Sequence, residues 1–235
     1  MKSSNIPFKK NYILGTSIVL AAFVLGLMLV WTVKTLKSFD DTVTVRGLCE
    51  KEVPADRVVY RISYSEKNND LSTLRQTIAN NNQTIVKLLR NAGFDESEIS
   101  YGAASYSDEY NSWSDVSRIA YRYEANQSIT VITSKLDLVK KVQNTLETDL
   151  VNRNILASGY ADYQYLGLNE IKPSMIAESL VKARESAEEF AKNSHSTIGK
   201  MRTASQGYFE IEDLDENTPQ MKKVRVVTTV EYYLK

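Results

Sequence analysis

The chain has few residues of the types that perform catalysis, and none lies in a pattern that would support a reaction. Its single histidine, His195, lies near the end of a predicted helix, where the helix dipole favours it, and no Cys/His partner set accompanies it. Thr203–Gly207 (TASQG) resembles the nucleophile turn of serine hydrolases around Ser205, but it lacks the first glycine and falls in a predicted strand. We therefore predict no catalytic residue and no enzymatic activity.

Two further motifs fall short of phosphate or metal sites. Gly199-Lys200 has no glycine five residues earlier and no Ser or Thr after it, which excludes a phosphate loop by pattern. The acidic run Glu210–Glu216 lacks the glycine and glutamate of an EF-type loop, since Thr218 and Val224 occupy those positions. We interpret the run as a solvated hairpin loop, with weak divalent binding left open. We predict no cofactor and no metal.

A polar loop with two aromatic residues is a candidate interaction loop. Ser107–Ser117 (SDEYNSWSDVS) carries Tyr110 and Trp113 near its tip. Aromatic side chains in exposed loops are natural anchors for protein contacts. The alternative is that both rings fold back onto their own sheet, and the sequence favours neither reading.

An uncharged apolar segment near the N-terminus predicts a transmembrane helix. Residues 11–33 carry no charge, and a helix from Tyr12 to Val33 would span about 33 Å, enough for the hydrocarbon core of a bilayer. The segment ends in bulky residues, unlike the small-residue cleavage site of a signal peptide, which favours an uncleaved anchor. We expect lipid contacts from Leu20, Phe23 and Leu27, and interfacial positions for Tyr12 and Trp31.

Charge distribution sets the predicted orientation and excludes one class of partner. Lys2, Lys9 and Lys10 precede the helix, which favours a cytoplasmic N-terminus. The predicted parts are a cytoplasmic tail (1–11), the anchor (12–33), a juxtamembrane linker (34–41) and a periplasmic or extracytoplasmic domain (42–235) at the inner (plasma) membrane. Residues 1–40 hold five lysines and one aspartate, so the remainder has a net charge of −4. Its scattered charge argues against nucleic acid as a partner.

Hydropathy periods divide residues 42–235 into strands and helices. The order is ββα-ββα-βα-ββ, an α+β fold with helices packed on antiparallel sheet, and we expect the first two strands to pair with each other. Helices are expected after Asp70, after Ser134 and from near Pro173. Strands are predicted at 42–49, 57–67, 98–106, 118–133, 156–166, 199–211 and 222–234.

Local signals add specific expectations within these elements. Gly93 is expected to end the first helix as a left-handed cap, with Phe94 folded back on it. Ser134–Asp137 predicts a capping box, and Pro173 suits a first helical turn. Strand 118–133 is long, so we expect a bend near Asn126. Cys49 is expected as a small buried strand residue, and the buried stripe of the last helix is predicted at Met175, Ile176, Leu180, Ala183, Ala187, Phe190 and Ala191.

Several stretches recur in an order and spacing that point to a known family. They are Val43–Glu52 leading to Pro54-Ala55-Asp56, then Asn91–Ile99, Gly167–Ala177, Ala183–Ala191, Ala204–Asp213 and Lys223–Leu234. Together they resemble the SIMPL-domain family of bacterial membrane and periplasmic proteins, with an N-anchored arrangement. The resemblance implies an α+β fold, an extracytoplasmic location and a link to envelope or oxidative stress tolerance and to protein interaction. It offers no catalytic residues.

These observations favour a non-enzymatic, membrane-tethered interaction or self-assembly module. Its expected partners are the lipid bilayer, through one helix, and a second copy or another protein. The alternative is a periplasmic ligand-binding sensor or chaperone-like factor with a pocket between the sheet and the long helix. An apolar cavity with a few polar groups would favour that alternative.

Overall fold

A computed structural model describes residues 17, 19–29, 32, 41–111 and 120–235. The chain forms two compact units. Unit A comprises Met1–Cys49, Ser174–Phe209 and Val226–Lys235, and unit B comprises Glu50–Pro173 and Glu210–Arg225.

The N-terminal segment is helical where it is described, at residues 17, 19–29 and 32. Leu20, Phe23 and Leu27 each expose more than half of their surface. Tyr12 and Trp31, the two expected interfacial residues, lie outside the described residues. Within the described ranges, no helix is both long enough and apolar enough to cross a membrane.

The element order is ββα-βββα-βα-ββ, one strand more than predicted. The helices are α1 (Leu71–Ala92), α2 (Leu136–Val151) and α3 (Leu168–Asn193). Short 3-10 helices occupy Glu96–Glu98 and Glu109–Asn111. The strands are β1 (Thr42–Pro54), β2 (Arg57–Asn68), β3 (Ile99–Tyr101), β4 (Ser105–Asp108), β5 (Tyr123–Thr133), β6 (Ala157–Gln164), β7 (Ile198–Asp213) and β8 (Met221–Leu234).

Unit B contains a five-stranded antiparallel sheet of order β3-β5-β2-β6, with β4 also paired to β5. Alternate residues of β2 and β5 are buried, as a sheet with one covered face requires. Helices α1 and α2 cover that face. The core includes Tyr60, Ile62, Ile129 and Val131 from the strands and Leu74, Ile85, Leu89, Val139 and Leu146 from the helices.

The ends of α1 follow the predicted capping chemistry. The Asp70 carboxylate accepts a hydrogen bond from the Thr73 amide at 2.7 Å, and Gly93 closes the helix with φ 113°. Phe94 is buried, and its amide donates to the Leu89 carbonyl. The expected left-handed glycine cap with a folded-back phenylalanine is therefore confirmed.

Strands β1, β8 and β7 form a three-stranded sheet in that order, and each contributes residues to both units. In unit A, α3 packs on this sheet through positions four residues apart: Met175, Ser179, Ala183, Ala187 and Ala191. Most of these side chains are small, so the helix approaches closely. A Cβ on Gly47 of β1 would lie 1.8 Å from the Ser179 carbonyl oxygen. The buried alternation predicted for β8 (Val224, Val226, Thr228, Val230 and Tyr232) is confirmed.

The expected pairing of the first two strands is wrong, because β1 and β2 belong to different sheets. The link between them bonds to two different neighbours. The Ala55 amide donates to the Gln220 carbonyl at 2.8 Å, and the Asp56 amide donates to the Gln164 carbonyl at 3.0 Å. This short segment thus passes the chain from one sheet to the other instead of forming a hairpin.

Two strand predictions also need correction. The stretch 98–106 is divided into β3 and β4, separated by residues 102–104. The bend near Asn126 is absent, since β2 and β5 pair without interruption from Val58–Thr133 to Asn68–Tyr123. The long strand that motivated the bend is shorter than predicted, because it begins at Tyr123.

Three helix predictions fail for identifiable reasons. The residue before α2 is Lys135, without a side-chain cap, because the Thr133 hydroxyl accepts the Lys135 amide. Pro173 lies inside α3, which begins earlier, at Leu168. The Asp56 carboxylate accepts the amides of residues 166 and 167 at 2.9–3.0 Å and so orders the chain before that helix. Phe190 is 63% exposed, since it flanks the four-residue stripe.

Candidate functional site

The sheet of unit B carries an open cleft of about 700 Å³ on the side of its exposed residues. Strands β2, β5 and β6 and the β3–β4 connection line it. Antiparallel pairing aligns Ser63 with Ser128 on one side and with Ser158 on the other. Ser65 faces Asn126, which faces Ser105 on β4. The register of the sheet therefore gathers hydroxyl and amide groups from four strands onto one surface.

The chemistry of the cleft is polar and uncharged. Its lining contains no Asp, Glu, Lys, Arg or His. Serine hydroxyls and the Asn126 amide can both donate and accept hydrogen bonds. Tyr64 also lines the cleft, but its hydroxyl points inward and donates to Asn82 Oδ1 (2.9 Å) or to the Ile78 carbonyl (3.1 Å). Burial, with smaller effects from Glu66 and Tyr106, raises the Tyr64 pKa, so this side chain stays protonated. The arrangement suits hydrogen bonding to an uncharged polar group better than proton transfer.

The candidate interaction loop is described up to residue 111, so Trp113 lies outside the described residues. Tyr110 is 42% exposed, and its ring lies 5.3 Å from the Arg122 guanidinium, which also lies 4.9 Å from the Tyr123 ring. Asp108 binds that guanidinium with two of its nitrogens at 2.8–3.2 Å. The Arg122 hydrogen bonds lower the pKa of Asp108, and the same contacts raise that of Arg122. Tyr110 is held in place and remains accessible.

Strand β7 is the most exposed regular element among the described strands. It forms one edge of its sheet, beside β8, and almost every residue along it is exposed. Tyr208 is 95% exposed, and Met201 and Ile211 also present apolar surface. An edge strand offers a row of backbone N–H and C=O groups to any strand that can pair with it.

The sequence candidates for chemistry are not brought together into a site. Cys49 is fully buried on β1, as expected. His195 is an exposed turn residue with φ 55°, directly after α3. Ser205 lies in the middle of β7, remote in sequence from any base that the pattern would require. Among the described residues, no group of three or more His, Cys, Asp or Glu side chains is placed to hold a metal ion.

Sequence reasoning missed both the cleft and the exposed edge. The cleft depends on which strands are neighbours, and the sequence did not show that β2 lies between β5 and β6. For β7 a signal was present, because residues 199–211 contain polar side chains at both alternating sets of positions. A strand with polar residues on both faces is typical of an edge.

Comparison with known proteins gives one informative match. The model of the SIMPL family, described as a protein of unknown function (DUF541), matches residues 43–232. No curated protein matches the chain. A crystal structure described as that of a candidate glycine cleavage system transcriptional repressor shares 10% identity, with a TM-score of 0.25, over 73% of this chain and 80% of the other. That likeness is too weak to support any inference.

Proposed function

The chain belongs to the SIMPL family, and on this basis we propose that it is a membrane-tethered, non-enzymatic module that assembles with copies of itself outside the cytoplasm. The observation that carries the proposal is strand β7, a sheet edge exposed along nearly its whole length. Long exposed edges are normally shortened, covered or interrupted in proteins that remain monomeric. Here the edge contains no proline and stays paired to β8 from Ile198 to Asp213.

Tethering supports assembly by physical reasoning. The uncharged segment 11–33 has the length and composition of an anchor. Copies held on one membrane surface meet at a high effective concentration, so a weak contact between domains suffices for assembly. The proposed link to envelope or oxidative stress tolerance rests on the family resemblance alone.

The self-assembly proposal is tested with the full chain. The protein is purified in detergent and reconstituted in nanodiscs, and particle mass is measured by mass photometry. We expect particles of more than one chain that dissociate on dilution. A strictly monomeric particle at micromolar concentration in both environments overturns self-assembly.

The tether is tested separately by fractionating cells that express the full chain. We expect the protein in the membrane fraction, resistant to alkaline carbonate, with its C-terminal domain accessible to protease added outside the cytoplasm. The matched variant carries a cleavable signal sequence in place of residues 12–33 and should move to the soluble fraction. Recovery of the unaltered chain in the soluble fraction overturns the anchor.

A second candidate function is the binding of an uncharged polar ligand, favoured by the cleft on the unit B sheet. Its serine and asparagine side chains converge from neighbouring strands, although the cleft is open and polar rather than an enclosed apolar pocket. Ser128→Tyr would fill its centre, because Ser128 lies opposite Ser63. A thermal-shift screen of neutral saccharides that stabilise the unaltered chain but not this variant would support ligand binding. No stabilising saccharide would count against it.

A further inference from the structure

Strand β7 has a charge pattern that reverses from one end to the other. Lys200 and Arg202 lie near its start, and Glu210 and Glu212 lie near its end. All four occupy even-numbered positions, so they share one face of the strand. The only residue on this face whose two neighbours along it are both uncharged is Gln206, at the centre between Ala204 and Tyr208.

We propose that β7 pairs with β7 of a second copy as antiparallel strands, with Gln206 opposite Gln206 on a two-fold axis. The inference rests on the proposed self-assembly and names the surface that performs it. In this register Lys200 faces Glu212 and Arg202 faces Glu210. Each pair occurs twice, because a two-fold contact repeats every interaction.

The other face of β7 is complementary in the same register. Met201 faces Ile211, and Thr203 faces Phe209. Met201 is 46% exposed and Ile211 is 39% exposed, so pairing buries apolar surface that each chain leaves in solvent. On the charged face, the small Ala204 lies opposite Tyr208, whose ring is 95% exposed. Cross-strand pairs of these kinds stabilise sheets.

Alternative pairings are less favourable on electrostatic grounds. A parallel arrangement in register would place Lys200 against Lys200 and Glu212 against Glu212. A shift of two residues in either direction keeps only one of the two oppositely charged pairs. A shift of one residue would move each side chain against the wrong face.

Intrachain ion pairs extend the complementarity across the sheet. Arg202 already contacts Glu231 of β8 at 3.1 Å. Glu210 lies 3.7 Å from Arg225, which in turn lies 3.5 Å from Glu50 of β1. When Arg202 of one copy faces Glu210 of the other, these contacts join into one row of alternating charge. The two sheets then become one continuous six-stranded sheet with β7 no longer an edge.

Disulfide trapping in the full chain tests the register. Each variant carries Cys49→Ala, which removes the buried native thiol. Directly opposed residues in antiparallel strands have Cα atoms about 4.5–5.5 Å apart, within disulfide range. We expect Gln206→Cys to form covalent dimers on mild oxidation. Lys200→Cys and Glu212→Cys should not crosslink alone, but a mixture of the two with distinguishable tags should give the mixed dimer.

Ser72→Cys, at an exposed position of α1, is the control for random collision. Crosslinking of Gln206→Cys no greater than this control, in particles that mass photometry shows to be oligomers, overturns the β7 pairing and leaves self-assembly intact. Self-crosslinking of Lys200→Cys also overturns it, because that result requires parallel strands. Particles that are monomeric throughout overturn both the pairing and the proposed function.

Charge exchange provides an independent test that needs no cysteine. Lys200→Glu places four carboxylates in two repulsive pairs at the proposed contact, and Glu212→Lys places four ammonium groups there. We expect each variant to raise the dimer Kd by about tenfold, and the double variant to restore it. Equal Kd values for the unaltered chain and the single variants overturn the register, as does a double variant as weak as the singles. Circular dichroism confirms that each variant is folded.

Discussion

The hydroxyl oxygens of Ser179 on α3 and Thr228 on β8 lie 2.6 Å apart, and both side chains are buried. Ser179 also donates to the Ile176 carbonyl at 2.8 Å. Its single proton is then used, so Thr228 is the donor in the contact between the two hydroxyls. This polar link joins helix to sheet inside the apolar core of unit A.

Removing either hydroxyl leaves the other without its partner. We expect Thr228→Val and Ser179→Ala each to lower the free energy of unfolding by about 1–2 kcal/mol, and the double variant to cost clearly less than the sum. Urea denaturation of the four proteins measures this coupling. Additive losses would show that the two hydroxyls do not interact.

The close approach of β1 to α3 predicts a severe effect at Gly47. A Cβ there would lie 1.8 Å from the Ser179 carbonyl oxygen and 2.6 Å from the Ala183 amide nitrogen. Both are backbone atoms that cannot rotate away, so we expect Gly47→Ala to destabilise the protein by roughly 3 kcal/mol or to prevent folding. Gly102→Ala is the matched control, since nothing lies within 4 Å of its added methyl. Thermal unfolding of both variants makes the comparison, and equal melting temperatures would contradict the tight contact.

The sequence predicts local elements well where the signal is contained within one segment. Asp70 and Gly93 define α1 through contacts a few residues away, and the alternation of β8 reports its two faces directly. The buried stripe of α3 is less predictable. Ser179 is polar but belongs to it, and Phe190 is apolar but does not. Contact with Thr228 accounts for the first exception, and that contact is not visible in the sequence.

Pairing between distant segments accounts for the remaining differences. The position of β2 between β5 and β6 depends on residues about a hundred positions apart. The start of α3 depends on Asp56, whose carboxylate binds the amides of residues 166 and 167. No local pattern encodes such contacts, so the sequence placed Pro173 too near the helix start. The serine cleft and the exposed β7 edge are products of this strand order.

Two tyrosines of β2 offer a matched pair of substitutions. Tyr60 is fully buried, and its hydroxyl has no hydrogen-bond partner among the described residues. Burial, with a smaller contribution from Glu147, raises its pKa to about 12. Tyr64 is also buried, but its hydroxyl has Asn82 and the Ile78 carbonyl as acceptors.

We therefore expect opposite results from the same chemical change. Tyr60→Phe should leave stability unchanged or raise it by up to about 1 kcal/mol, because an unsatisfied buried hydroxyl is removed. Tyr64→Phe should lower stability by about 1–2 kcal/mol, because Asn82 loses a partner. Guanidinium denaturation of both variants gives the comparison. A loss at Tyr60 as large as that at Tyr64 would reveal a hydrogen bond to the Tyr60 hydroxyl.

The carboxylate of Glu98 makes unit B sensitive to acid. It accepts hydrogen bonds from the Thr133 hydroxyl (2.6 Å), the Asp95 amide (2.8 Å) and the Lys135 ammonium (3.0 Å). Burial acts to raise the pKa of Glu98, but these hydrogen bonds together outweigh it and hold the pKa below its ordinary value of 4.5. Folding therefore favours the ionised form.

A depressed carboxyl pKa gives stability that is present above the unfolded value and is lost as the pH falls through the folded value. We expect the free energy of unfolding to decrease as pH is lowered below 4.5, the ordinary pKa of this group. Glu98→Gln should cost about 1 kcal/mol near neutral pH and reduce the acid-dependent loss. Urea denaturation between neutral pH and about pH 3 measures both effects. Glu185→Gln, at an exposed position of α3, is the control and should leave the pH profile unchanged. If Glu98→Gln and the unaltered chain lose stability in parallel as pH falls, Glu98 is not the group responsible.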